Sequence, residues 1–104
     1  MQRSHVFFGR NIGAAEGVND AAWRTFLDEE ITPRFPAGLT LVASNGQWRG
    51  PDGRSVTERG FVLTLLGNGS TDDAGKLDDI RRAYRARFMQ DAVLLVQTRV
   101  CAGL

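Results

Sequence analysis

Residues 38–67 read GLTLVASNGQWRGPDGRSVTERGFVLTLLG, two apolar and β-branched segments on either side of the tripeptide Pro-Asp-Gly. Proline presets φ for a turn and glycine accepts positive φ, so Pro51 to Gly53 predict a chain reversal. Segments of this composition on both sides of such a turn predict a long β-hairpin. The hairpin provides two strands of a sheet, and the flanking segments must provide the rest.

A helix-like and a strand-like segment lie on each side of the predicted hairpin. Strands are predicted from SHVFFGR at 4–10 and AVLLVQTRV at 92–100. Helices are predicted because apolar residues recur at helical spacing after Ser, Thr, Asn or Asp capping residues. The order βαββαβ predicts a single ferredoxin-like α+β domain over residues 1–104, with a four-stranded antiparallel sheet and two helices on one face. The helix residues predicted to face the sheet are Trp23, Phe26, Leu77, Ile80, Tyr84 and Phe88.

Three of the predicted strands are apolar on both faces, at residues 6–8, 61–66 and 93–96. Alternate side chains of a strand point to opposite faces, and two helices cover only one face of the sheet. A second copy of the chain is the simplest cover for the other face, and long loops of the same chain are the alternative. The sequence therefore predicts a homodimer or larger homo-oligomer through the helix-free sheet face.

Length and charge limit the partners of this chain. It has 104 residues, of which 13 are basic and 12 acidic, for a formal net charge of +1. This balance gives no general attraction to a phosphate backbone or an anionic membrane. The predicted third strand begins like an RNA-recognition motif, but Leu63 and Leu66 stand where that motif needs stacking aromatic residues. We therefore expect no nucleic-acid partner and no membrane partner.

The residue types also argue against metal and cofactor chemistry. His5 is the single histidine and Cys101 the single cysteine, which rules out an internal disulfide and a histidine-based zinc site. We expect no metal and no cofactor. The sequence contains no apolar run of about 20 residues and no signal-peptide core, so we expect a protein that is soluble as given, either cytoplasmic or exported after removal of a signal.

Five blocks occur in order along the chain: FFGRNIG, AAWRTFLDEEITPRFPAGLT, GQWRGPDG, TERG and YRARFMQDAVLLV. In this order they resemble DUF3574, a bacterial family of unknown function, over nearly the entire chain. The resemblance supports the predicted fold and implies no particular chemistry. Many members of the family carry an export or lipoprotein signal, so the resemblance is compatible with an exported protein as well as with a cytoplasmic one.

Polar residues around the hairpin form the candidate site. Glu58 and Arg59 begin an otherwise apolar strand and point to opposite faces, because side chains alternate. Arg10 ends the first strand. In a ferredoxin-like sheet the first and third strands are the two central strands and lie side by side. The pattern therefore predicts an ion pair between Arg10 and Glu58, closed by the ring of Trp48.

Two functions remain open for this cluster. The first is a small-molecule binder or cofactor-free proton-transfer enzyme, in which Glu58 accepts a proton and Arg10 or Arg59 holds a small anionic ligand such as a carboxylate or enolate. In this hypothesis Trp48 and Tyr84 form the walls of the pocket, and Gln47 and Gln90 orient an oxygen atom of the ligand. The alternative is a non-catalytic homo-oligomeric interaction module, in which Arg10, Glu58 and Trp48 are fully paired and no cavity exists.

Overall fold

The computed structural model describes residues 1–103 as a mixed α+β protein. Its strands are β1 Gln2–Gly9, β2 Asn11–Ile12, β3 Ala15–Glu16, β4 Thr40–Arg49, β5 Ser55–Gly67 and β6 Leu94–Arg99. Its helices are α1 Asp20–Phe26 and α2 Thr71–Phe88, and a π-helical turn at Leu27–Ile31 and a 3-10 turn at Thr32–Arg34 follow α1. Neither α-helix in the described part of the chain is long and apolar enough to span a membrane.

Four strands form one antiparallel sheet in the order β4-β5-β1-β6, so β5 and β1 are central. In the register of the central pair, Val6 lies opposite Leu63, and Gly9 lies opposite Gly60. The predicted hairpin is confirmed, since β4 and β5 pair along their lengths and Gly53 in the turn has a φ of +80°. The α+β class, with two helices and a four-stranded antiparallel sheet, is also confirmed.

The segment between β1 and α1 differs from the prediction. The glycine-punctuated stretch GRNIGAAEGVND at 9–20 favours a loop, but β2 and β3 pair within it as a separate two-stranded ribbon. Helix α1 is also shorter than the apolar spacing indicates, because its last part is wound as the π-helical and 3-10 turns, with Pro33 in the latter. The first turn of α1 is capped by Asn19, whose side chain accepts a hydrogen bond from the Ala22 amide.

The hydrophobic core lies between one face of the sheet and both helices. From the sheet come Val6 and Phe8 of β1 and Leu63 and Leu65 of β5. All six helix residues that the sequence predicted to face the sheet are buried in this core. Phe26 is fully buried, and its ring meets the Tyr84 ring edge to face at a centroid distance of 5.0 Å.

The opposite side of the sheet, called here the helix-free face, carries exposed apolar side chains. The registers place Phe7 beside Leu94 and Val62, and His5 beside Val96, on this side. Its exposed large apolar residues are Phe7, Val42, Trp48, Leu66, Leu94 and Val96. The predicted second apolar face therefore exists, and the described residues of the chain leave it open to solvent.

We predict that Phe26→Ala lowers the free energy of unfolding by about 3–5 kcal/mol, because it removes a fully buried ring from close-packed neighbours. Thr25→Ala, an exposed position on the same helix, is the matched control and should change stability by less than about 0.5 kcal/mol. Urea unfolding of both variants measures the difference. A loss below about 1 kcal/mol for Phe26→Ala would show that the helix packs differently.

Candidate functional site

Glu58 lies on the helix-free face, near the start of β5 and opposite Gly46 of β4. Its Oε2 accepts a hydrogen bond of 2.8 Å from the backbone amide of Asn11. The same carboxylate lies directly against the Cα of Gly9, where any Cβ would overlap it. A side chain at position 9 would therefore displace the carboxylate from this place, and glycine allows its close approach to the backbone.

Three glycines lie near Glu58 on neighbouring strands and leave a depression floored by backbone. Gly9 and Gly60 are register partners on β1 and β5, and Gly46 faces Glu58 from β4. The side chains of Phe7 and Trp48 stand at the edges of this depression, whose volume is about 400 Å³. Small-molecule pockets commonly have volumes of about 300–1,000 Å³ and are lined by apolar groups around a few polar ones.

Two further depressions adjoin the first one and share Glu58 with it. One, of about 730 Å³, extends from Trp48 over Pro51 toward Gln90. The other, of about 570 Å³, lies toward Glu16 and Arg59. Glu58 is thus the residue common to a continuous concave region around the start of β5.

Glu58 has no cationic partner among residues 1–103, since no Arg or Lys nitrogen there lies within salt-bridge distance of it. A separate groove of about 330 Å³ lies beside the start of α2, where Lys76 pairs with Asp72 at 3.3 Å and Asp73 is a second half-buried carboxylate without an ion pair in the same range of residues. Glu58 is a half-buried carboxylate that has a hydrogen bond from a backbone amide and no cationic partner among the described residues, and it lies in a concave region, so it is a candidate site residue. In the described part of the chain, no group of three His, Cys, Asp or Glu side chains is arranged to hold a metal ion.

The predicted ion pair between Arg10 and Glu58 is wrong. Arg10 is only 4% exposed and lies on the helix-covered side, where its Nε donates to the Val18 carbonyl at 2.9 Å and its Nη2 to Asp20 Oδ1 at 2.6 Å. The physical reason is the register of β1 and β5, which places Arg10 beside Arg59 and leaves Glu58 on the opposite face. Arg10 is therefore a structural residue in this arrangement.

Arg59 is also already paired. Its Nε and Nη2 donate to the two carboxylate oxygens of Glu16, both at 2.8 Å. These hydrogen bonds lower the pKa of Glu16 below its ordinary value, against a smaller opposing effect of desolvation. Arg10 and Arg59 are thus both engaged by carboxylates of the chain itself.

Tyr84 does not line the pocket, contrary to the prediction. Its side chain is fully buried in the core, and its hydroxyl donates a hydrogen bond of 2.6 Å to the Gly9 carbonyl. Burial raises the pKa of Tyr84 far above its ordinary value, and the negative charge of Glu58 raises it further. Tyr84 therefore supports the floor of the pocket from the core side by fixing the Gly9 backbone.

The other predicted residues divide between the pocket and its frame. Trp48 and Gln47 line the depression together with Glu58. Gln90 lines it too, but its Nε2 already donates to the carbonyls of Asn11 and Phe88. The sequence reasoning missed the remaining contributors, which are Phe7, Gly9, Asn11, Gly46, Gly60 and Leu94. A usable signal existed, because a glycine interrupts three strands near Glu58 and a glycine inside a strand often marks a close approach.

The comparisons with known proteins agree with this description of the fold. Residues 3–104 match DUF3574, a protein family of unknown function, and the chain belongs to that family. No curated protein matches the chain. Its fold is similar to that of a phage SAM lyase in complex with S-methyl-5′-thioadenosine, with a TM-score of 0.69 and 20% identity over 93% of this chain and 79% of the other. The same lyase in the apo state gives a TM-score of 0.71, also at 20% identity, over 93% and 78% of the two chains.

We predict that the phenol of Tyr84, the single tyrosine of the chain, stays protonated in the folded protein well above pH 10. In the unfolded chain it ionises near its ordinary pKa of about 10, so the free energy of unfolding should fall as pH rises above about 10. Tyrosinate absorbance of folded and urea-unfolded protein measures both states. If the two titrate at the same pH, the phenol is not held in the core as described.

Proposed function

We propose that this chain is a small-molecule enzyme of the lyase type, and that its site is the pocket around Glu58 on the helix-free face. The single observation that carries this proposal is the half-buried Glu58 carboxylate, which has no cationic partner and lies among aromatic side chains and bare backbone. Such a pocket complements a ligand with positive charge, since a carboxylate attracts a cation and the face of a Trp ring does as well.

A sulfonium compound such as S-adenosylmethionine fits this chemistry. It carries a permanent positive charge on sulfur and a flat base that an aromatic wall can stack against. The fold is similar to that of a phage SAM lyase at 20% sequence identity. This similarity is secondary support for the choice of ligand class, which is argued from the pocket itself. The anionic ligand expected from the sequence is less well supported, because Arg10 and Arg59 are both paired within the chain.

The chemistry assigned to Glu58 in this proposal is proton acceptance. In an elimination, the carboxylate takes a proton from the carbon next to the one bonded to sulfur. The bond between sulfur and the carbon attached to it then breaks, and its electron pair stays on sulfur. The electrons of the broken C–H bond form a double bond between the two carbons. The products are an alkene and a neutral thioether, and the step needs no cofactor.

We also propose that the domain is ferredoxin-like. The order β4-β5-β1-β6 supports this, because the two central strands are the first and third long strands of the chain and both helices pack on one side. The ribbon formed by β2 and β3 is then an insertion between the first strand and the first helix. Its backbone matters for the site, since the Asn11 amide is the hydrogen-bond donor to Glu58.

The proposed function predicts that Glu58→Gln weakens binding of S-adenosylmethionine about tenfold or more, because the variant loses the charge that attracts the sulfonium. Binding of S-methyl-5′-thioadenosine, a neutral thioether, should change less than about threefold. Isothermal titration calorimetry measures both ligands. The variant should unfold within about 1 kcal/mol of the wild type, since the amide oxygen can still accept the Asn11 hydrogen bond.

Asp28→Asn is the matched control, because Asp28 is an exposed carboxylate on the turn after α1 and lies outside the pocket. It should leave both affinities unchanged. Turnover is tested separately by chromatographic detection of thioether released from S-adenosylmethionine, which Glu58→Gln should abolish. If neither ligand binds the wild type at millimolar concentration, or if Glu58→Gln binds both ligands normally, the proposed function is wrong.

A further inference from the structure

The exposed apolar residues of this chain are concentrated on one surface. Among the described residues, six of the eight large apolar side chains that remain exposed lie on the helix-free face, and the other two are Met1 and Met89. On that face Phe7 is 40% exposed and Leu94 is 58% exposed. Exposed apolar side chains are normally scattered singly, so a contiguous group on one face indicates a surface that another molecule covers.

The area of this surface is sufficient for a stable interface. Six half-exposed side chains of this size present on the order of 500 Å² of apolar surface, which is near the upper end for the largest patch of a typical monomer. Two such faces packed together would remove about 1,000 Å² from these side chains alone, which is the lower limit for a specific interface before backbone and rim are counted. Sheets commonly pack face to face through apolar side chains in this way.

The charges of the helix-free face are arranged to complement a second copy of the same face. Arg3 is exposed at one end of the central strands, opposite Leu66, and makes no ion pair within residues 1–103. Glu58 lies at the other end, eight residues before Leu66 on the same strand. A two-fold axis near Val62 would place the basic end of one copy over the acidic end of the other. The net charge of +1 adds little repulsion between copies.

We propose that a second copy of this chain packs on the helix-free face and closes the Glu58 pocket. Phe7 and Leu94 belong both to the apolar surface and to the lining of the pocket, so the same contact that buries the apolar surface also covers the open side of the site. The two-fold arrangement brings Arg3 of the second copy to the mouth of the pocket, where it binds the carboxylate of the ligand while Glu58 faces the sulfonium. This role of Arg3 rests on the proposed function, whereas the packing of the two copies does not.

The first test is the mass of the wild-type protein in solution. Light scattering at micromolar concentration should give at least twice the 11.4 kDa mass of the chain. Leu94→Arg should give the mass of a single chain, because it places a charge without a partner inside an apolar contact. Ala86→Arg, an exposed position on α2, is the matched control and should keep the wild-type mass. A monomeric wild type, or an unaltered mass for Leu94→Arg in a protein that melts normally, overturns the proposal.

The second test separates this inference from the proposed function. Arg3→Gln should keep the oligomeric mass and weaken binding of S-adenosylmethionine about tenfold, because the ligand's carboxylate loses its partner. A wild type that is oligomeric but binds no ligand contradicts only the proposed function. A monomeric wild type that binds the ligand contradicts only the packing of two copies, and leaves the apolar face to a partner of another kind.

Discussion

The buried guanidinium of Arg10 fixes the geometry on which the rest of this protein depends. Its side chain donates to the Val18 carbonyl and to Asp20, and its plane lies over the Phe61 ring at 5.5 Å. Its own carbonyl accepts the amides of Gly17 and Val18, at 2.9 and 3.0 Å. One residue thus joins the end of β1 to the start of α1 and determines the path of the ribbon between them. A buried charge is tolerated at this position because each of these contacts compensates for the loss of water.

The position of Arg10 has a direct consequence for Glu58. Because the buried guanidinium of Arg10 is engaged on the helix-covered side, the Glu58 carboxylate on the other side has a backbone amide as its hydrogen-bond donor. Tyr84 fixes the backbone below the carboxylate, since its hydroxyl donates a hydrogen bond to the Gly9 carbonyl from the core side. The carboxylate can lie against this backbone because Gly9 has no side chain. A half-buried carboxylate without a cationic partner is a group that a ligand or a reaction can use, often at a cost in stability.

The sequence predicts the architecture well and the site only in part. Periodicity locates the core residues of both helices, and the continuous apolar runs in β1, β5 and β6 correctly indicate a second apolar face. Alternation within a strand cannot give the register between strands, and it is the register that places Arg10 beside Arg59. The partner of Arg59 is Glu16, in the glycine-punctuated segment that composition identifies only as a loop, and the partner of Arg10 is Asp20, the first residue of α1.

The most direct test of this account asks whether a cationic ligand lies between Glu58 and Trp48 on the helix-free face. The chain has two tryptophans, and Trp23→Phe removes the buried one, so that selective excitation of tryptophan reports on Trp48 alone. Acrylamide quenching of this variant should fall when S-adenosylmethionine is added, because the ligand covers the indole ring. In Trp23→Phe combined with Glu58→Gln, the same addition should leave the quenching unchanged. Quenching that stays constant in the first variant, while the ligand still raises its melting temperature, would show that the ligand binds elsewhere and would contradict the account.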